Sequence, residues 1–459
     1  MAEKFPQGAA PQENKMGVLP IGRLLTNMAV PMMISMLVQA CYNVVDSVFV
    51  AQISEDALNA VSLAFPLQNL MIAFGAGTAV GINALLSRSL GEKNQAMADR
   101  AANTGIFLAL CNFALFALIG IFFSRTFFEL QAGGEQVIID YGVDYASICL
   151  GCSIGIFSQF CFERLLQSTG RTFLAMCTQL TGALINIVLD PILIFGWFGL
   201  PRMEVAGAAI ATVAGQIVAA AAALVLNLKC NPDIHILPRE IRWHGKVAAE
   251  IYRVGFPSIV MQSIGSAMVF GMNKILFSFT KTATAVFGAY FKLQSFVFMP
   301  VFGLNNGTVP IVAYNFGARR GDRMRQTIKY SICAAVAIMI VGMLMFQSVP
   351  DKLLRLFDAS EEMLRLGVPA LRIISISFPL AGFGIGAGSV FQALGYSVYS
   401  MIISLIRQLV VLIPCAYAIG RMTGDVTGVW WAFVIAELVS LTASALYLRR
   451  VNRDVIRTL

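Results

Sequence analysis

Leu67-Gln68-Asn69-Leu70, followed by Gly77, Gly81 and Gly91, opens a pattern that the chain contains twice. Moved forward by 226 positions without a gap, residues 27–115 lay Pro31 on Pro257 and Ala57 on Ala283. Leu67-Gln68 then falls on Leu293-Gln294, and Gly77, Gly81 and Gly91 fall on Gly303, Gly307 and Gly317. A second stretch, at an offset of 225, pairs Gln167 with Gln392, Gly170 with Gly395 and Leu180 with Leu405. A third, at 221, pairs Gly207, Ala211 and Val213 with Gly428, Ala432 and Val434. Most matches are Gly, Pro and Gln, which report backbone shape and buried polarity rather than mere apolar content. The chain is therefore expected to fold as two similar halves.

Those halves are built for lipid. Hydrophobic residues make up 58% of the chain and charged ones 13%, against about 25% charged in an ordinary soluble domain. The charges crowd into short segments, leaving apolar runs long enough to cross a bilayer. Twelve spans are expected: 27–51, 58–87, 102–124, 137–160, 173–196, 205–227, 248–279, 283–314, 328–349, 366–394, 398–419 and 428–448. Residues 1–22 are polar and rich in Gly, Pro and Gln, so span one reads as an uncleaved anchor.

The expected fold is thus an all-α membrane protein of twelve transmembrane helices in two pseudo-symmetric six-helix lobes. Its parts are a tail (1–22), an N-lobe (23–227), a connector (228–247), a C-lobe (248–448) and a C-terminal tail (449–459). Lys and Arg favour one alternating set of loops by about threefold, which predicts that both termini are cytoplasmic. The net charge of +8 is then a topology signal, and no nucleic-acid partner is expected. Six spans per half give the halves equal orientation, related by an axis along the membrane normal. The connector is polar, basic and contains two prolines, with a short amphipathic surface helix expected around Glu240–Val247.

Charge inside a span is costly, so each case asks for a partner, an aqueous cavity or a task. In the first half the charges within or near spans are acids: Asp46, Glu163 and Asp190. In the second half they are mainly bases, Lys274, Lys292, Arg372 and Arg407, with Glu437 the one acid. Under the repeat, Asp46 falls on Met272, Asp190 on Cys415 and Lys292 on Pro66. The fold is duplicated and the ionisable chemistry is not. An ion-coupling site is therefore expected in the N-terminal half.

In span five, Asn186 and Asp190 lie four apart and share a helix face. Pro191 withholds an N–H from the carbonyl of Ile187. An acid, a carboxamide and a freed carbonyl within one turn suit a proton or Na⁺, because oxygen ligands suit a hard cation. The alternative is an Asp capping a kinked helix end. Span one carries Gln39, Tyr42, Asn43 and Asp46 as a polar stripe on an apolar helix. The alternative for that stripe is a structural hydrogen-bond network. Two acids brought together in a low dielectric cannot both ionise cheaply, which is what a proton-coupled carrier needs.

Lys274, Lys292, Gln294 and Arg407, with Gln39 and Asn43, are candidates for a substrate cleft between the halves. Glu163, Arg164 and Arg171 read as interfacial, where span four meets the cytoplasm. Gly382 to Gly388 holds overlapping small-residue patterns that suit close helix packing. Soluble-enzyme chemistry finds no support. The only two His lie in the connector, no phosphate-binding loop motif occurs, and no disulfide framework or cofactor is implied.

Several stretches together resemble the multidrug and toxic compound extrusion (MATE) family, in particular its DinF-like branch with MepA-type bacterial exporters. They are Ala29-Val30-Pro31, Tyr42-Asn43-Val44-Val45-Asp46-Ser47, Leu90-Gly91-Glu92-Lys93 and Leu166-Gln167-Ser168-Thr169-Gly170. Asn186 to Pro191, Gly207 to Thr212, Asn315 to Arg320 and Gly428 to Phe433 complete the set. Their order and spacing cover residues 20–450. The resemblance implies a V-shaped pair of lobes in the bacterial plasma membrane, exporting cationic or amphiphilic drugs as H⁺ or Na⁺ returns. It also implies a monomer and a coupling site at Asp46, Asn186, Asp190 and Thr212, with Tyr42 beside them. Thr212 enters on the resemblance alone. A lipid or lipid-linked oligosaccharide flippase of the same paired-lobe plan is the alternative, kept open by the basic residues of the second half.

Overall fold

The structure, a computed structural model, describes residues 14–131, 135–357 and 359–459. Residues 1–13, the greater part of the expected N-terminal tail, lie outside the described residues. The described chain is almost wholly helical. Ten helices are long and apolar enough to cross a bilayer, and two bent pairs bring the count to twelve if each pair is one span.

Spans one to three are Ile21–Ala51, Glu55–Gly91 and Gln95–Gln131. Span four is the pair Gln136–Gly151 and Ile154–Ser168, bent by 42°. Spans five and six are Thr172–Phe195 and Glu204–Cys230, and seven to nine are Gly245–Phe277, Lys281–Gly317 and Gly321–Ser348. Span ten is the pair Glu361–Ser375 and Phe378–Ala393, bent by 46°. Spans eleven and twelve are Ser397–Thr423 and Val426–Thr458. Most run beyond the expected bounds. A helix of 37 residues is about 55 Å long at 1.5 Å per residue, so the longest helices outreach the apolar layer at their ends.

Besides a hydrophobic core, the fold exposes large apolar side chains and buries small polar ones. Ile121, Phe122, Phe123 and Leu184 are each more than 60% exposed, while Asn83, Ser87, Ser168 and Thr308 are buried. The apolar rows meet lipid and the small polar rows meet other helices, as expected where lipid is the solvent.

The repeated glycines form the seam between the lobes. A Cβ on Gly77 would meet Ile259 and the Gly255 carbonyl of span seven, and one on Gly81 would meet the carbonyl of Ile251. In the second half, Gly303 and Gly307 stand in the same way against Met32, Met33 and Ala29 of span one. Gly91 and Gly317 bring spans two and eight together at Tyr314 and Arg88. Each lobe thus offers its second helix to the first helix of the other, and glycine is what lets the backbones approach.

These contacts lie towards the membrane face that carries the ends of the chain. Asn69 Nδ2 donates to Ser266 Oγ at 2.7 Å near mid-span. Among the described residues no hydrogen bond joins the lobes farther from the termini than that one. The close backbone contacts and hydrogen bonds between the lobes are thus gathered on the terminal side and at mid-span.

The connector differs from expectation. Only a short 3₁₀ turn, Pro238–Glu240, precedes span seven, and no amphipathic helix forms. The segment lies along the N-lobe instead: His235 N donates to Asp99 Oδ1 at 2.8 Å, and Leu237 N donates to Asn103 Oδ1 at 3.0 Å. Side chains of span three thus take up backbone groups that a surface helix would have satisfied internally.

Glu163 and Arg164 also differ. They are buried rather than interfacial. Gln159 Nε2 donates to Glu163 Oε1 at 2.9 Å. Arg164 Nη1 donates to Gln167 Oε1 at 2.9 Å and, across the seam, to Asn306 Oδ1 at 3.0 Å. Packing of the other lobe covers a position that helix-end distance alone would leave wet. Arg171 is partly exposed and pairs with Asp233 of the connector.

Candidate functional site

Span five continues unbroken through Pro191 to Phe195, and Gly196 ends it in the left-handed region at φ +74°. Asp190 lies inside this helix and is 0% exposed, so it is not a solvent-facing helix cap. Asn186, one turn earlier, is also buried. Its Nδ2 donates to Thr212 Oγ1 of span six at 3.1 Å. The small residues between the two helices make this possible: Gly215 lies against the backbone carbonyl of Gly182.

Span one closes the site from the other side. Asp46 lies beside Asp190, close enough for each to bear on the other's charge. Tyr42 lies beside both acids, with its hydroxyl at Thr212. Asp46, Asn186, Asp190, Thr212 and Tyr42, contributed by three spans, are thus brought together.

The cluster is short of donors. Asp46 Oδ1, Asp190 Oδ1 and Oδ2, and Asn186 Oδ1 are all buried and none receives a hydrogen bond. Two ionised carboxylates offer only acceptors to each other. Two unit charges about 4 Å apart repel by about 4 kcal/mol at an effective dielectric of about 20. A proton shared by the acids, or a small cation among the oxygens, supplies what is missing. An all-oxygen set suits a hard cation such as Na⁺. Among the described residues no group of three or more His, Cys, Asp and Glu could hold a metal ion.

Three neighbours were not among the site residues expected from the sequence. Tyr145 and Cys149 of span four lie beside Asp46, and Gln68 Nε2 of span two donates to the Tyr145 hydroxyl at 3.0 Å. Gln68 carried a signal, since it is the repeat mate of Gln294. Tyr145 carried none.

The expected cleft residues do not form one cluster. Gln39 is half-buried and its Nε2 donates to Asn43 Oδ1 of the same helix at 3.4 Å, while Asn43 is exposed. Lys274 is exposed. Lys292 is also exposed, with its ammonium 5.9 Å above the ring of Phe357. Gln294 is half-buried. Arg407 is not a free cleft cation: its Nη1 donates to Glu437 Oε1 at 2.7 Å. The Gly382 to Gly388 run packs on span nine, with Gly382 against Ala335 and Met339 and Gly386 against Ile332.

The MatE family profile matches residues 31–192 and 257–418, one copy in each lobe. The chain belongs to the MatE family. Among curated relatives it is 27% identical over 421 residues to the multidrug export protein MepA of Staphylococcus haemolyticus, covering 91% of each chain. It is 26% identical over 429 residues to MepA of Staphylococcus aureus, covering 93% of each. Among solved structures it matches a MATE transporter in complex with MaL6 at a TM-score of 0.91 and 24% identity, covering 98% of this chain and all of the other. An outward-facing multidrug resistance MATE transporter of the MOP superfamily matches with the same TM-score and coverage. These likenesses give the MatE chain its fold, two repeated lobes, and make it a multi-pass inner-membrane transport protein.

Proposed function

We propose that this MatE protein is a multidrug exporter that works as an antiporter, expelling cationic or amphiphilic compounds as H⁺ or Na⁺ enters. The observation that carries the reading is the set of four buried oxygens, on Asp46, Asn186 and Asp190, that have no donor. They gain most when a cation joins them. The names of the curated relatives, multidrug export proteins, support the cargo class.

The topology supports an orderly cycle. Asp46 and Asp190 both lie five residues from the ends of their helices, at Ala51 and Phe195, on the side away from the termini. With the termini in the cytoplasm, that side faces outwards. A cation entering there neutralises the pair and alters how span one packs on span five, and drug leaves the space between the lobes. After the seam opens on the other side, the cation departs and new drug enters. Arg407 is already neutralised by Glu437, which weakens the case for a strongly cationic cleft and hence for a flippase of phosphorylated lipids.

The test uses purified protein in liposomes with an outward proton or Na⁺ gradient, the ion concentrated in the lumen, imposed separately. Uptake of a fluorescent lipophilic cation should follow one gradient in the wild type and vanish in Asp46→Asn and Asp190→Asn. Full gradient-driven transport in Asp190→Asn would sink the assignment.

A further inference from the structure

The C-lobe has a counterpart of the cation site, and its location follows from the repeat. At the repeat offsets, Tyr42 corresponds to Met268, Asp46 to Met272, Asn186 to Val411, Asp190 to Cys415 and Thr212 to Phe433. All five replacements are apolar, and all belong to one hydrophobic cluster. The oxygens of one lobe have become a greasy plug in the other.

The ionisable groups of the C-lobe lie just beyond that plug, towards the terminal side. Arg407 precedes Val411 by one turn in span eleven, and Glu437 follows Phe433 by one turn in span twelve. Their pairing, at 2.7 Å, leaves the side chains only 25% and 12% exposed. The second carboxylate oxygen, Glu437 Oε2, is buried with no donor. Tyr290 of span eight is the other titratable group beside the pair.

The backbone is altered at the same place. Residues Ile406–Leu412 form a π-helical turn within span eleven, a rare feature that is frequent at functional sites. In the N-lobe the positions equivalent to Arg407 and Glu437 are Gly182 and Gln216. There spans five and six run so close that a Cβ on Gly182 would lie 2.9 Å from Ala219 Cβ and from the carbonyl of Gly215. Arg407 occupies in one lobe the space that helix packing fills in the other.

We propose that Arg407 is a tethered cation, and that its guanidinium permanently fills a cation site on Glu437 so that the C-lobe takes up no coupling ion. A buried acid must be neutralised by a proton, a metal ion or a fixed base. A guanidinium stays charged at every accessible pH, so Glu437 is neutralised through the whole cycle. The inference rests on the antiporter reading above, and it predicts that removal of Arg407 uncovers a second, latent ion site.

The experiment measures ion occupancy directly, with ²²Na⁺ binding and proton uptake after an acid pulse, on purified full-length protein in lipid nanodiscs. In an Asp46→Asn/Asp190→Asn background, which silences the N-lobe, no ion should bind. Adding Arg407→Gln should restore one ion per chain, adding Glu437→Gln as well should abolish it again, and Arg407→Lys should restore none. If Arg407→Gln gains no ion that depends on Glu437, the proposal is overturned. Should Arg407→Gln fail to fold, Glu437→Gln in the otherwise native chain decides: it keeps the full ion complement if Arg407 holds the site, and loses an ion if Glu437 itself takes one up. If the silenced background still binds ions, the N-lobe assignment fails, and the Glu437-dependent difference still tests the C-lobe.

Discussion

Two demands meet at Asp190. Folding would remove a second acid from a buried place beside Asp46, whereas the proposed cation capture requires it. Replacing either acid by its amide relieves the like-charge repulsion and adds an N–H donor to a cluster of orphaned oxygens. Asp190→Asn should therefore raise the thermal midpoint of the cation-free protein while abolishing gradient-driven dye transport. A scan of purified protein checks the first and proteoliposomes the second. A lower midpoint with transport intact would mean that the acid is structural. Asn186→Ala should act more mildly. It removes one oxygen and the 3.1 Å bond to Thr212, a hydrogen bond worth about 1 kcal/mol. Cation affinity should fall by roughly five- to tenfold, about the effect of 1 kcal/mol, while the maximal rate is kept.

At the scale of elements, the seam is where sequence and structure agree most closely. Gly77, Gly81 and Gly91 could be picked out because the constraint on them is backbone contact, which admits no side chain and so survives duplication at Gly303, Gly307 and Gly317. A β-branched residue at Gly81 drives into the carbonyl of Ile251, and overpacking of this kind costs about 1–3 kcal/mol. Gly81→Val should lower the thermal midpoint and shift the population away from the conformer closed on the terminal side. Gly22→Ala should do neither, because nothing lies within 4 Å of its Cβ. Equal effects of the two would show that the seam does not limit stability. The N-lobe acids were legible for a related reason, since a charge in an apolar helix is conspicuous wherever it falls. Tyr145 was not, because a tyrosine in a span is ordinary and nothing in the sequence brings span four up to Asp46. Glu163 and Arg164 were misplaced because sequence gives only distance from a helix end: Glu163 is enclosed by Gln159 and Thr178 of its own lobe, and Arg164 reaches Asn306 of the other.

For the whole molecule, the proposed antiport draws its coupling from the asymmetry between the lobes. Both lobes are copies of one fold, yet one has buried oxygens short of donors and the other an acid already paired with Arg407. A rocking motion of two equal bodies is then biased by occupancy of one of them. Thermodynamic linkage requires that the cation weaken drug binding and that the drug weaken cation binding by the same factor, expected to be about 5- to 150-fold. Titrating a fluorescent drug with and without the driving ion, and then the ion with and without the drug, measures both sides of that equality. A factor near one in either direction would mean that the cation and drug sites do not communicate, and the antiporter reading would fail. In Asp46→Asn the linkage should disappear while drug affinity settles near that of the ion-occupied wild type, because the amide mimics a neutralised acid. Drug affinity fixed at the ion-free value would instead place the switch away from span one.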